Sequence, residues 1–215
     1  ITDQTRINKI LPIIEFLLNN NNMAIDTGLG VTCTDLQATG GIKQILLRSW
    51  ASADAVVYGN AAGEHDIDSI LTSGSPAAWF VFEFKNETPA MTINATKENG
   101  STAFECGLSF MLPKLDNSRF AELQELLNTC MMGIAIDTND NAFVLGVSEK
   151  YANEDVPSKN QTFLNLASME GGTGAAYSDE NGITVSLMAR QFELPRKYIG
   201  TITVDTSALT ATTAA

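Results

Sequence analysis

Residues Met91–Leu112 read MTINATKENGSTAFECGLSFML, two alternating runs joined by Lys97-Glu98-Asn99-Gly100. In the second run Thr102, Phe104, Cys106, Leu108, Phe110 and Leu112 fall on one side, and Ser101, Ala103, Glu105, Gly107, Ser109 and Met111 on the other. Successive side chains of a strand point to opposite faces. One face of this segment is therefore apolar, and the other is small, mostly polar and nearly free of basic charge. Strands usually run ~5–6 residues, so the pattern predicts an unusually long, two-faced hairpin turned at Asn99-Gly100.

Working outward, Trp79–Lys85 (WFVFEFK) reads as a preceding strand with Phe80, Phe82 and Phe84 on one face. Gly41–Trp50 (GIKQILLRSW) reads as an earlier strand opened by a Gly40-Gly41 turn, followed by short strands at Ala55–Tyr58 and Ile67–Leu71. After Pro113 the period changes from two to about 3.6. Phe120, Leu123, Leu126 and Leu127 then fall on one side of a helix that Asp116 or Asn117 can cap. GIAID and AFVLGV form a hairpin around Thr138-Asn139-Asp140, and GITVSLMARQF alternates again, Ile183, Val185 and Leu187 against Thr184, Ser186 and Met188. YIGTITV supplies the last strands. Lys150–Met169 has no clear period and reads as a long loop, and residues 205–215 read as a low-complexity tail, mobile when unpartnered. Many strands with one principal helix predict a mainly β fold, an antiparallel β-sandwich or barrel with the helix on its flank. The expected core is Phe80, Phe82, Phe84, Phe104, Leu108, Phe110, Leu112, Phe120, Leu123 and Leu127.

The chain of 215 residues is long enough for a large core without metal or disulfide staples. Thirteen Lys and Arg against 25 Asp and Glu give a net charge of −12, which disfavours sequence-independent adhesion to phosphate backbones. Charged residues are only 18 % of the chain, a low share that suits a surface used up in assembly. Cys33, Cys106 and Cys130 lack metal-type or redox-type spacing, and Cys106 lies on the apolar face of the long strand as a small hydrophobe. No segment reaches the ~18–20 apolar residues of a membrane span. INKILPIIEFLL is interrupted by Pro12 and Glu15 and precedes no small-residue cleavage site, so it is not read as a signal peptide. Residues 1–22 are expected to be a peripheral extension, upstream or precursor sequence or an amphipathic helix carrying Ile7, Ile10, Ile14, Leu17 and Leu18. Met23 is then the expected start of the main domain.

Catalytic chemistry has little to work with. His65 is the sole histidine and sits with Glu64, Asp66 and Asp68, but no second histidine or HExxH accompanies it, so it reads as part of a polar loop. Asp137, Asn139 and Asn141 begin like a calcium loop, yet the sixth position is Ala142 and the twelfth is Ser148, and the flanks are strands. A turn built from Asn and Asp is the better account. Gly171–Gly174 lacks the Lys-Ser/Thr of a phosphate loop and reads as a place of close backbone packing or a bend. The sequons at Asn86 and Asn94 are what an Asn- and Thr-rich chain yields by chance. No catalytic, cofactor-binding or metal-binding residue is assigned, and no cofactor is expected.

The ordered series GGIKQILL, WFVFEFKNETPAMTINATKENGSTAFECGLSFMLPKLD, FAELQELL, AIDTNDNAFVLGV and GGTGAAYSDENGITVSLMARQFELPRKYI resembles the major tail (tail tube) proteins of tailed bacteriophages and prophages. The likeness runs over residues 23–204, rests on the order and spacing of these pieces, and leaves out residues 1–22 and 205–215. It implies a β-sandwich or β-barrel of the tail-tube type and a virion structural protein, not an enzyme. The subunit would join a hexameric ring that stacks into a hollow tube through which DNA passes. Partners would be further copies, other tail proteins and, in passing and without specific binding, DNA. Membranes are not expected among them, and the location would be the virion tail, assembled in the host cytoplasm. On that resemblance Thr92, Asn94, Thr96, Ser101, Glu105 and Ser109 line the lumen, and Lys150–Met169 with the tail from Asp205 are candidates for ring-to-ring contact. Two alternatives stay open: a terminator or connector ring of the same fold, and a secreted β-sandwich that binds glycans or proteins through Trp50, Trp79 and Tyr58.

Overall fold

In the computed structural model the described residues are 39–50, 54–59, 65–72, 78–99, 101–149, 163–176 and 179–214, all within one compact unit spanning Thr39–Ala215. The extension 1–22, the lead-in to residue 38 and residues 150–162 lie outside them. Among the described residues, thirteen strands and one helix are laid out in chain order. The first strands are β1 (Ile42–Ser49), β2 (Ala55–Tyr58), β3 (Asp66–Leu71) and β4 (Trp79–Phe82). The long hairpin is β5 (Ala90–Glu98) and β6 (Ser101–Pro113), followed by helix α1 (Asn117–Leu126). Then come β7 (Met131–Asp137), β8 (Ala142–Leu145), β9 (Asn165–Gly172) and β10 (Gly182–Gln191). The chain closes with β11 (Arg196–Tyr198), β12 (Thr201–Asp205) and β13 (Thr210–Ala214).

Two sheets form. One has nine strands in the order β12-β13-β4-β1-β7-β8-β11-β3-β2, and the other has four, β5-β6-β10-β9. All ladders are antiparallel except β11 with β3, which is parallel, so the expectation of a purely antiparallel fold is corrected at that pair. The parallel contact arises because β11 re-enters the large sheet beside a strand far earlier in the chain.

β1 explains the layering. Ile45 and Leu47 point into one core and Leu46 into another, all with 0–2 % exposure. The first core lies between the two sheets, where Cys106, Leu108, Phe110, Ile183, Val185 and Leu187 meet Ile45, Leu47, Met131 and Leu145. The second fills the opposite side of the nine-stranded sheet around Trp79, Ile67, Ile70, Met132 and Tyr198. That sheet curls until its ends approach: Thr213 Oγ1 donates to Ile70 O at 2.9 Å, and Trp79 Nε1 donates to Thr213 Oγ1 at 3.2 Å. Each fully buried large apolar side chain contributes roughly 1.5–3 kcal/mol as an upper estimate.

Leu108, Phe110, Leu112 and Leu123 are buried as expected, and Phe82, Phe84 and Phe104 pack partly buried against the first core. Three expected core residues are not there. Phe120 is 49 % and Leu127 46 % exposed, while Leu123 and Leu126 are buried. At about 100° per residue, Leu126 lies about 60° to one side of Leu123, whereas Phe120 and Leu127 lie about 60° and 40° to the other. The sheet covers only the first of these flanks. Phe80 is 42 % exposed because β4 runs between two cores and the buried residue at this end of the strand is its neighbour of opposite parity, Trp79.

Helix α1 begins where Asp116, in extended conformation (φ −142°), accepts from Arg119 N at 3.0 Å. It ends with Thr129 Oγ1 donating to Glu125 O at 2.6 Å. The tail expected from residue 205 onward is instead the β12–β13 hairpin. Asp205 Oδ1 accepts from Ser207 N at 2.9 Å in its turn, and Tyr198 Oη donates to Ala214 O at 2.7 Å. Alternating Thr suits a half-buried pleated surface, which is why a low-complexity composition still pairs. The loop expected over Lys150–Met169 gives way to strand at Asn165.

The β7–β8 turn uses Asp137 as its organiser. Its Oδ1 accepts from Asn139 N at 2.9 Å and Asn141 N at 2.7 Å, and its Oδ2 accepts from Asn141 Nδ2 at 3.0 Å. Burial raises its proton affinity, but the Asn141 and Asn139 donors outweigh it and hold the carboxyl below its ordinary value of 3.8. The folded value is thus the lower one, so this stabilisation is complete above the ordinary range and fades as pH falls through it. Asp137→Asn is expected to flatten the acid side of the stability profile. Urea midpoints taken across that range check this, and an unchanged slope contradicts it.

Candidate assembly surface

The four-stranded sheet has one face in the core. In register, β5 residues Thr92, Asn94 and Thr96 stand opposite Gly107, Glu105 and Ala103 of β6, Glu98 opposite Ser101, and Ala90 opposite Ser109. Five of the six residues expected to line a lumen, Thr92, Asn94, Thr96, Glu105 and Ser109, therefore lie on one face, and Ser101 occupies the matching register position. This face points away from the apolar side carrying Cys106, Leu108 and Phe110. Gly107 is small for a reason: a Cβ there would meet Thr92 Oγ1 at 2.6 Å, so the threonine lies across the glycine.

Two strands extend the face beyond what the hairpin alone suggested. β10 places Ser186 opposite Ser109, Met188 opposite Gly107 and Arg190 opposite Glu105. β9 adds Ser168 and Glu170 opposite Ser186 and Thr184. The result is a mostly polar face of hydroxyls and small side chains that also carries the exposed Met188, Glu170 and one ion pair, Arg190 Nη2 to Glu105 Oε1 at 2.7 Å, in which the Arg190 side chain is 70 % exposed and that of Glu105 34 %. The sequence-based expectation of a surface nearly free of basic charge is corrected at Arg190. The alternation in GITVSLMARQF carried that information, but its pairing with β6 is non-local.

Among the described residues, β5 pairs only with β6 and β9 only with β10, so both edges of this sheet are open. Exposed edges of nine and eight residues are long, and unpaired strand edges are templates for pairing with another chain. Beyond the core, Ile93 on β5 is 43 % exposed. On β9, Gly171 sits tightly against β10, where a Cβ would meet Gly182 O at 2.6 Å.

The other motifs resolve locally. His65 Nε2 lies 3.0 Å from Leu194 O and links the start of β3 to the β10–β11 turn. Among the described residues no group of three or more His, Cys, Asp or Glu side chains converges, and no helix is long and apolar enough to cross a membrane. A groove of about 530 Å³ is floored by Ile136, Ala142, Ile202 and Val204. Its two lysines are engaged, Lys43 by Asp140 at 2.6 Å and Lys197 by Asn141 at 2.9 Å. Trp79 is wholly buried and Tyr58 nearly so, and the Trp50 ring lies tilted at 43° against Phe163 with centroids 5.4 Å apart, so these three do not form an exposed aromatic platform.

Comparison with protein-family models, with curated proteins and with solved structures gives no match to this chain.

Proposed function

We propose that the chain is a virion structural protein, the subunit of stacked rings that form the tail tube of a tailed bacteriophage and through which the genome passes. The observation that carries this reading is the four-stranded sheet, apolar toward the core, mostly polar on its outer face and, among the described residues, without a further strand on either long edge. Pairing β5 of one copy with β9 of the next removes both edges at once. Repeated around an axis, this closes a ring, with the polar faces turned toward a common channel. The order of motifs from residue 23 to residue 204, with its likeness to tail tube proteins, supplies the hexameric count and the stacking. On this reading the location is the virion tail, assembled in the host cytoplasm, and other tail proteins cap the stack.

Negative-stain imaging of the concentrated protein tests it, with Ile93→Lys as the matched variant. Lysine on an exposed edge opposes strand addition, and surface changes usually move stability by within about 0.5 kcal/mol. Native protein is expected to give rings or tubes, and Ile93→Lys monomers with a native circular dichroism spectrum. Rings that never stack would favour the terminator or connector alternative. Native protein that stays monomeric at every concentration would overturn the proposal in favour of a binding module.

A further inference from the structure

Away from the assembly surface, a polar knot ties the two sheets together. The chain leaves the four-stranded sheet at Gln191 and enters the nine-stranded sheet at Arg196. Gln191 is 1 % exposed, and its Nε2 donates to Val147 O at 2.5 Å. Two residues on, Glu149 N donates to Glu193 Oε1 at 2.5 Å. The Arg196 guanidinium donates to the Glu193 carboxylate at 3.0 Å, to the Glu149 carboxylate, and to Asp66 O at 3.5 Å, and it lies 5.0 Å from the Tyr58 ring centre. Three remote segments thus converge: 147–149, 191–196 and the first residue of β3.

On residues of these three segments, four buried side-chain atoms have no hydrogen-bond partner among protein groups: Asp66 Oδ1, Ser148 Oγ, Gln191 Oε1 and Arg196 Nε. Among the described residues these are the full set of such side-chain atoms. Buried polar atoms are rarely left unpaired, and leaving them so is costly. All four belong to residues of the three segments that meet here rather than being scattered through both cores, and that concentration points to a shared partner.

The chemistry of the four selects that partner. One is a donor only, the Arg196 Nε–H; two are acceptors, Gln191 Oε1 and Asp66 Oδ1; and the Ser148 hydroxyl is both. A cation is opposed by the guanidinium. An anion is opposed by Asp66, Glu149 and Glu193. What remains is a small neutral species that donates and accepts, and buried water typically makes two to four hydrogen bonds to such groups. We infer that the knot is an internal hydration site, in which ordered water joins Ser148 and Gln191 on one side and Arg196 and Asp66 on the other. This water is a structural part of the junction where the chain crosses between sheets.

Ser148→Ala gives a test whose sign decides. If water serves the hydroxyl, the alanine leaves that water short of a partner, and the folding equilibrium constant of the full chain falls roughly five- to tenfold. If the hydroxyl has no partner, removing it relieves a penalty and the constant stays the same or rises. Urea unfolding of native and variant protein reads the difference. A high-resolution crystal structure of the native chain is the second measurement. Water within hydrogen-bonding distance of at least two of the four atoms is the expected result. A dry knot, or a variant as stable as the native protein, overturns the inference.

Discussion

Asp54→Ala is expected to lower the stability of the chain by about 3–5 kcal/mol, a large share of what a domain of this kind has to lose. Arg48 stands on the second-core face of β1, with its side chain 3 % exposed and that of Asp54 0 % exposed. The pairing is bidentate, Nη2 to Oδ1 at 2.9 Å and Nε to Oδ2 at 3.2 Å, and Nη1 donates to Ala78 O at 3.2 Å. The planar guanidinium matches the carboxylate fork, so one carboxylate holds the end of β1, and through Arg48 the residue before Trp79. Removing it takes from a 3 % exposed guanidinium the carboxylate that it pairs with, beside the second core. The desolvation cost stays and the compensation goes. Urea denaturation of the variant reads the loss, and replacing both partners together by apolar residues of similar volume is expected to recover most of it. A single variant within about 1 kcal/mol of native would mean that water reaches the pair.

That pair also marks where sequence reading stops. Period-two patterns identified the hairpin faces, because burial on one side of a strand imposes alternation on the residues themselves. Leu108 and Phe110 are buried and Thr92 and Asn94 exposed for that reason alone. Arg48 in the run LLRSW carries no such mark: a charge at the end of a strand normally faces water, and only the second layer buries it. A second core was invisible for the same reason, since β1 buried on both faces reads as a plain apolar run. The helix start was legible in Asp116, whereas the choice of Leu126 over Phe120 and Leu127 depends on how far a neighbouring sheet extends. Thr210–Ala214 carries no mark of a strand in its low-complexity composition, because its pairing with β12 and β4 is fixed by distant residues, with Trp79 and Tyr198 bonded to its side chains and backbone. Of the assembly surface, the β5–β6 half was legible. The half from β9 and β10 required a register joining residues about 75–85 positions apart, as in Ser109 with Ser186 and Glu105 with Arg190.

That last pairing gives the proposed channel its most sensitive point. If polar faces of neighbouring copies surround passing DNA, Arg190 is the one basic side chain among the described residues of the face, and Glu105 neutralises it at 2.7 Å. Glu105→Gln keeps the shape and a hydrogen bond to Arg190 but takes away the carboxylate that pairs with it in each copy, leaving Glu170, two strands away, as the remaining described carboxylate of β9 on the face. An exposed pair of this kind is worth only about 0–1 kcal/mol to the fold, so the subunit should fold and assemble as before. Its effect on DNA is multiplied by the ring, because each copy repeats the charge at the same height. A protein making six to ten phosphate contacts loses ~10³–10⁵ in affinity between ~50 and ~200 mM salt. A six-fold ring sits at the lower end. Native tubes are therefore expected to release short duplex DNA at low salt, and Glu105→Gln tubes to retain it with a salt dependence near ~10³ over that interval. Adding Arg190→Gln should return the native behaviour, which separates a freed cation from a disturbed sheet. Co-sedimentation of labelled duplex with assembled tubes measures all three. If tubes form and Glu105→Gln holds DNA no better than native protein, this face does not meet the passing strand, and the channel must be lined by other residues.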